Sequence, residues 1–394
     1  MLKIGTSPVD ELFIDRKRHL PLLKSYIDKK QSFVIKAPRR FGKTSIIKHL
    51  LKNEKLHTFV YVDISRMSNL KSLANIIVNE AYKLSLIDDF LKQARESMLD
   101  LFNRVSELKI KDIAEVTLRM IEKDVNDVEY FLHSLDVMNS IARKEGVDVK
   151  FVFDEFQDIL DIASEDILSK SRSVIQQHHK NITYIFLGSI ESTMTQIFEK
   201  KGSPFVHFSI VVELPPLDIN EVYKHSNNFF SSNRIEIPFL INALNFFNGH
   251  PDYTIQFIQK LYFTILAKSI ITIDKNLIED IIISVYRDNR AYVMELVEKA
   301  KQKKHRLDVL YSIANNKKNT LDSKTLYNTH VSLEEIGIIK KVSKGKYEII
   351  DIFLWLYLQD EVKDVEDMTK DERSLYLLDK NKSFNNIKKS KKKD

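Results

Sequence analysis

Along the chain, apolar positions switch repeatedly between two periods. "SFVIKA" (32–37) is a short apolar, β-branched run, and "TSIIKHLLKN" directly behind it sets Ile46, Ile47, Leu50 and Leu51 at helical spacing. The same change recurs further on. "HTFVYVDIS" (57–65) predicts a second strand ending in Asp63, and "VKFVFDEFQDIL" a buried strand running into acids and a helix. "NITYIFLGSIESTMTQIF" predicts a strand over 182–187, a tight turn at Gly188-Ser189 and a helix. A fifth strand, "HFSIVVEL", stops at Pro215-Pro216, and a short helix precedes the first strand in "VDELFIDRKRHLPLLKSYIDKKQ". Strands alternating with helices predict an α/β architecture, a mostly parallel sheet with helices on both faces.

Elsewhere the pattern is helical alone. From Leu70 to about Lys144 it contains neither Pro nor Gly and predicts several helices inserted between strands. Past the double proline, 217–302 predicts an all-helical lid. Residues 303–360 predict a small winged-helix-like α+β domain: a helix "HRLDVLYSIA", a polar link, a short helix "SLEEIG", and strands "IIKKV" and "KYEII" around "SKGK". The expected domains are therefore 1–216, 217–302 and 303–360, followed by a charged, disordered tail over 361–394.

Composition narrows the chemistry. With 394 residues, 43% apolar and 29% charged, the chain is globular and long enough for two or three domains. It has no cysteine, which removes disulfides, zinc–thiolate sites and cysteine nucleophiles. The opening "MLKIGTSPVDELFIDRK" has no signal-peptide pattern and no apolar run reaches a membrane span, so a cytoplasmic location and no membrane partner are expected. The net charge of +6 points to nucleic acid only until it is located. Seven lysines and one aspartate between Lys380 and Asp394 account for all of it, so the body is near neutral and the tail is the polyanion candidate.

The candidate chemistry sits between the first strand and its helix. "APRRFGKTS", residues 37–45, follows the phosphate-loop pattern G-x-x-x-x-G-K-[ST] with Ala37 in the first glycine position. Such a loop works because backbone N–H groups converge on phosphate oxygens at a helix N-terminus. Lys43 would reach the β- and γ-phosphates, the Thr44 hydroxyl would bind Mg²⁺, and Gly42 lets the backbone come close. Ala37 precedes Pro38, and a residue before proline is pushed toward extended geometry at negative φ, which alanine takes without strain. Arg39 and Arg40 read equally as contacts to nucleotide or partner and as plain surface charge.

A hydrolytic site also needs carboxylates. "FVFDEF" supplies two: Asp154, continuing its strand toward the metal, and Glu155, facing the other way and acting on water. The adjacent acid predicts a fold with an extra strand between the loop strand and the acid strand. Ser189, ending the next strand, is the candidate for contact with the γ-phosphate or the attacking water. Gln157 and Asp63 lie close enough to matter, although turn and cap roles suit both.

Together "LFIDRKRHLPLL", "APRRFGKTSII", "FVFDEFQ", "IFLGSIESTM", "ELPPL", "NGHPDYTIQF" and "GKYEIIDIFLWLYL" resemble the archaeal-type ATPase family, P-loop proteins related to AAA and STAND ATPases, from about Val9 to Leu358. The resemblance implies ATP and Mg²⁺ as ligands, with Lys43, Thr44, Asp154 and Glu155 in the roles above. It implies Pro251 near the adenine and Phe13, Ile14 and Arg16 bordering the nucleotide, with residues 37–45 as its cradle. Many relatives carry an arginine before the fifth strand; here "SPFVHF" has His207 and Phe208 instead, so that arginine is missing and assembly into oligomers stays open. Between Ile313 and Gly337 only about twenty residues are available, short for two full helices of which one reads a DNA groove. Lys340, Lys341, Lys344 and Lys346 can meet phosphates, and a protein partner suits the wing equally. Three functions follow: an ATPase acting on DNA or protein, a slow nucleotide switch, and a DNA-binding regulator with secondary nucleotide binding.

Overall fold

The computed structural model describes residues 16, 18–51, 59–84, 126–163, 166–232, 235–268 and 273–359. Phe13, Ile14, the middle of the predicted 70–145 insert and the lysine tail lie outside the described residues. Two compact units emerge: one holds residues 18–37 and 46–214, the other holds the loop residues 38–45, Arg16 and the described residues from Pro215 onward.

The first unit is built on a five-stranded parallel sheet in the order β2-β3-β4-β1-β5. Its strands are β1 (Phe33–Lys36), β2 (Phe59–Asp63), β3 (Val149–Asp154), β4 (Ile182–Gly188) and β5 (Ile210–Glu213). β4 lies between the loop strand and the acid strand, as the adjacent acid predicted. Burial follows position in the sheet. β1 and β4 are buried at every residue and read as continuous apolar runs, whereas the edge strands β2 and β5 keep exposed or half-exposed positions. β2 is shorter than its apolar run suggests because Asp63 accepts from the Ser65 amide and starts a 3₁₀ turn, Ile64–Arg66.

Helices α1 (His19–Asp28), α2 (Lys43–Leu51), α3 (Leu70–Leu84), α4 (Asp127–Glu145), α5 (Ile159–Ile162), α6 (Ile167–Ile175) and α7 (Glu191–Phe198) connect the strands. Of the predicted insert, its two ends, α3 and α4, are described and helical. Asn126 caps α4 through the Glu129 amide, and Gly146, at φ +64°, closes it.

The second unit has one continuous apolar core running from Leu217 to Leu358. It contains α8 (Ile219–Ser232), α9 (Leu240–Phe246), α10 (Pro251–Lys268), α11 (Lys275–Lys301), α12 (Arg306–Ala314) and α13 (Ser323–Glu335). The antiparallel pair β6 (Ile339–Ser343) and β7 (Lys346–Ile349) and helix α14 (Ile352–Tyr357) complete it. The helix expected only at "SLEEIG" begins nine residues earlier, at Ser323, with 13 residues in all. Asp322 starts it by accepting from the amides of Lys324 and Thr325. So the interval between Ile313 and Gly337 does hold a full helix after α12, although its first two turns are too polar to show an apolar stripe.

Gly249 shows why the "NGHP" turn carries glycine. At φ +71° its carbonyl accepts from the Leu217 amide at 2.8 Å, and an added Cβ would lie 2.3 Å from the Leu217 carbonyl oxygen. Among the described residues, no helix is long and apolar enough to cross a membrane.

Candidate nucleotide site at the carboxyl edge of the sheet

Register brings the strand ends level. Lys36 of β1 sits opposite Gly188 of β4 and Glu213 of β5, and Asp154 of β3 sits opposite Asp63 of β2. Loop 37–42 leaves β1 from this edge and enters α2 at Lys43, which is the strand–loop–helix context a phosphate loop requires. Ala37 is fully buried, has no positive φ, and donates its amide to the Gly188 carbonyl at 3.3 Å. Alanine therefore suits the position, as the following proline predicted. Gly42 does need to be glycine, with φ at +83°.

Lys43 is 5% exposed and its ammonium donates to the Pro38 carbonyl at 3.2 Å. The cation thus folds back over its own loop. Thr44 and Ser45 continue into α2. Arg16 is buried and donates to the carbonyls of Phe41, at 3.2 Å, and Pro215, at 2.8 Å, so it braces the loop backbone. Pro251 is buried at the first position of α10, where its missing N–H costs nothing.

Of the two loop arginines, Arg40 is committed to partners, whereas Arg39 stays exposed. Arg40 donates to Asn289 at 2.6 Å and to Asp252 at 3.3 Å, with its guanidinium 4.2 Å from the ring centre of Tyr292. Arg39 lies 3.9 Å from Glu295. The Phe41 ring meets His250 edge-on at 5.1 Å. Burial, with the Arg40 guanidinium adding to it, holds His250 down to about 3, and burial pushes the Tyr292 hydroxyl up to about 12.

In the sheet unit, Asp154 is 6% exposed, accepts from the Glu155 amide at 3.0 Å, and is hydrogen-bonded by the Tyr61 hydroxyl. Glu155 does not continue the strand. Its backbone is left-handed, at φ 51° and ψ 47°, a conformation that is uncommon for non-glycine residues and concentrates at functional sites. The alternation expected along the strand therefore stops at Asp154, and the turn aims Glu155 at the end of β4. There Glu155 Oε2 accepts from the Ser189 amide at 3.2 Å, the Ser189 hydroxyl, and Gln157 Nε2 at 2.7 Å. Gln157 Oε1 also accepts from the Ser189 amide at 3.3 Å. Asp63 is spent elsewhere, capping the 3₁₀ turn and pairing with Arg66 at 3.0 Å.

Of the sequence candidates, the structure thus joins Glu155, Ser189 and Gln157 into one cluster beside Asp154, and gathers Lys43, Arg39, Arg40, Phe41 and Arg16 around the loop. Sequence reasoning missed Tyr61. Its signal was a hydroxyl-bearing aromatic between Val60 and Val62, on a strand whose neighbour is known only once the sheet order is known.

The Thr44 hydroxyl and the Asp154 carboxylate are hard oxygen ligands, and Mg²⁺ is ordinarily held by one or two carboxylates together with substrate phosphates.

No family model and no curated protein matches this chain. Among solved structures it is similar to a Walker-type ATPase of Pyrococcus abyssi, at 16% identity and TM-score 0.64, over 90% of this chain and 99% of that one. It is also similar to the ORC2 protein of Aeropyrum pernix in its ADPNP–ADP complexes, at 13% identity and TM-score 0.57, over 89% and 94%. The ADP form of that protein matches at TM-score 0.51. These likenesses establish the fold as that of the P-loop ATPases, a parallel α/β sheet followed by a helical region.

Proposed function

We propose that this chain binds ATP with Mg²⁺ on residues 37–45 and hydrolyses it, and that the nucleotide state moves the C-terminal unit against a DNA or protein partner. The observation that carries the reading is the loop itself, with left-handed Gly42 and buried Lys43 at the exit of β1. Phosphate oxygens are stronger acceptors for the Lys43 ammonium than a neutral carbonyl such as that of Pro38. The amides of 39–44 bind the phosphates, and Pro251 borders the adenine. Thr44 and Asp154 are the residues that would hold Mg²⁺, which would supply positive charge against the phosphates. Glu155 takes the proton of the attacking water, and Ser189 orients that water and the carboxylate.

Residues 303–358, three helices and a hairpin, act in this reading as a winged-helix module. A cavity of about 550 Å³ there is lined by Lys303, Lys304, Tyr327, Asn328 and Glu335, and its two lysines are the groups that would meet a phosphate backbone. The lysines at 380–393 would add to that attraction.

One observation favours a slow switch as the second reading. Glu155 Oε2 already accepts three hydrogen bonds, two from Ser189 and one from Gln157, which hold the carboxylate against the end of β4.

Calorimetric titration with Mg-ATP tests the binding half. Wild type is expected to bind and Lys43→Ala to lose affinity by roughly a hundredfold or more, because a charge-assisted contact to two phosphates is removed. Equal affinity in both proteins would contradict the assignment of the loop.

A further inference from the structure

Arg40 stands in the loop under constraints that phosphate binding alone does not explain. Its backbone is left-handed, with φ at +65°, where a residue with a Cβ is disfavoured relative to glycine. Its guanidinium is held by Asn289 at 2.6 Å and Asp252 at 3.3 Å and stacks over Tyr292. The acceptor is fixed from behind: Asn289 is 4% exposed, and its amide nitrogen donates to Gln256 Oε1 and to the Val285 carbonyl, both at 2.8 Å. That commitment turns Oδ1 toward the loop. Tyr292 follows Asn289 by three residues on α11 and so shares its face, and Glu295, three further on, takes Arg39. Phe41 goes to His250 at the start of α10. Three consecutive loop side chains therefore end on α10 and α11.

We infer that Arg40 is a positioning residue that couples the shape of the phosphate loop to helices α10 and α11, so that displacing those helices lowers the affinity of the loop for ATP. The inference rests on the ATP reading above. The side-chain contacts hold residue 40 in a backbone conformation it would otherwise leave. Once they are lost, φ relaxes toward negative values and the amides of residues 40 and 41 rotate away from a common focus. Coupling of this kind is reciprocal: ATP on the loop holds the helices, and a partner that pulls on α10 or α11 regulates nucleotide affinity. The backbone at this position and the helix face opposite it thus form one device.

The test is equilibrium titration of a fluorescent ATP analogue, mant-ATP with Mg²⁺, into the full chain as wild type, Arg40→Ala, Tyr292→Leu and the double variant. Tyr292 is the informative partner because it lies on α11 and meets the loop through the Arg40 guanidinium. Each single change is expected to weaken binding about tenfold, within the range of ordinary coupling energies, and the double change no further. Arg40→Gly is expected to weaken binding less than Arg40→Ala, since glycine accepts the positive φ unaided. Unchanged affinity in Tyr292→Leu, or losses that multiply in the double variant, would overturn the coupling. Should Tyr292→Leu fail to melt cooperatively, Asp252→Ala supplies the helix-side arm with the same two outcomes. Wild type that does not bind mant-ATP would overturn the ATP reading and the coupling with it. Wild type that binds beside unresponsive variants would overturn the coupling alone.

Discussion

Glu155 shows how much one residue can settle and how little of it is legible in advance. The pair Asp154-Glu155 stands out in "FVFDEF", yet the left-handed backbone at 155 and the 34-residue reach to Ser189 are properties of the folded sheet. Gln157, for which an ordinary structural role was the stronger expectation, joins this cluster, and Asp63 is a cap. The Glu155 cluster also separates the two nucleotide readings. If Ser189 orients Glu155 and its water, Ser189→Ala lowers ATP turnover by about tenfold or more with ATP affinity preserved. If Ser189 restrains Glu155 as part of a slow switch, the same change raises turnover. A steady-state assay on the one variant distinguishes them.

His250 carries a residue-scale prediction about pH. The unfolded chain takes up a proton there near 6.5, whereas the folded chain keeps the ring neutral down to about 3. Stability therefore falls as pH drops through that window, with a slope of up to about 1.4 kcal/mol per pH unit from this group. Asp351, whose carboxyl is raised by burial, works in the opposite direction over its own range, and Arg40 is the nearby cation that disfavours a charged His250. His250→Phe keeps a ring between Phe41 and Tyr253 and is expected to flatten the dependence of Tm on pH between 7 and 5. A slope equal to that of wild type would contradict the burial argument.

At the scale of elements, the sheet was largely legible and the C-terminal segment less so. Central strands of a parallel sheet are buried on both faces, so their apolar runs announce themselves, and the loop motif and the adjacent acid imply the extra strand β4. Helix α13 was foreshortened because only Thr329 and Leu333 are buried along it, which leaves its first turns without an apolar stripe. Helix α14 depends on a single buried acid. Asp351 accepts from the amides of Phe353 and Leu354, both at 2.9 Å, and from the Tyr253 hydroxyl at 2.5 Å. Tyr253 in turn stacks on His250 at 4.0 Å and meets the Phe353 ring at a tilt at 4.4 Å. Removing the carboxylate strips the cap and leaves a buried hydroxyl without its acceptor, so Asp351→Ala should cost about 2 kcal/mol or more. Asp351→Asn, which also caps, should recover part of that loss. The one tryptophan of the chain, Trp355, lies in α14, so its fluorescence during urea unfolding reports the loss directly.

Across the whole molecule, the chain is a P-loop ATPase fold in which the loop residues 38–45 group with the C-terminal unit while the strand before them and most of α2 belong to the sheet unit. That grouping was not legible in the motif, because Arg39, Arg40 and Phe41 find their partners more than 200 residues further on. Asp252 and Asn289 are 212 and 249 positions from Arg40. It gives the proposed function a physical form: chemistry at the carboxyl edge of the sheet, and a loop whose side chains reach the helices that follow. The central claim is that Glu155 drives hydrolysis at this site. Its most direct test is Mg-ATP turnover by purified Glu155→Gln beside wild type, with ATP binding measured on the same preparations. The account predicts that the variant binds ATP as wild type does while turnover falls by about a hundredfold or more. Undiminished turnover in Glu155→Gln would contradict it.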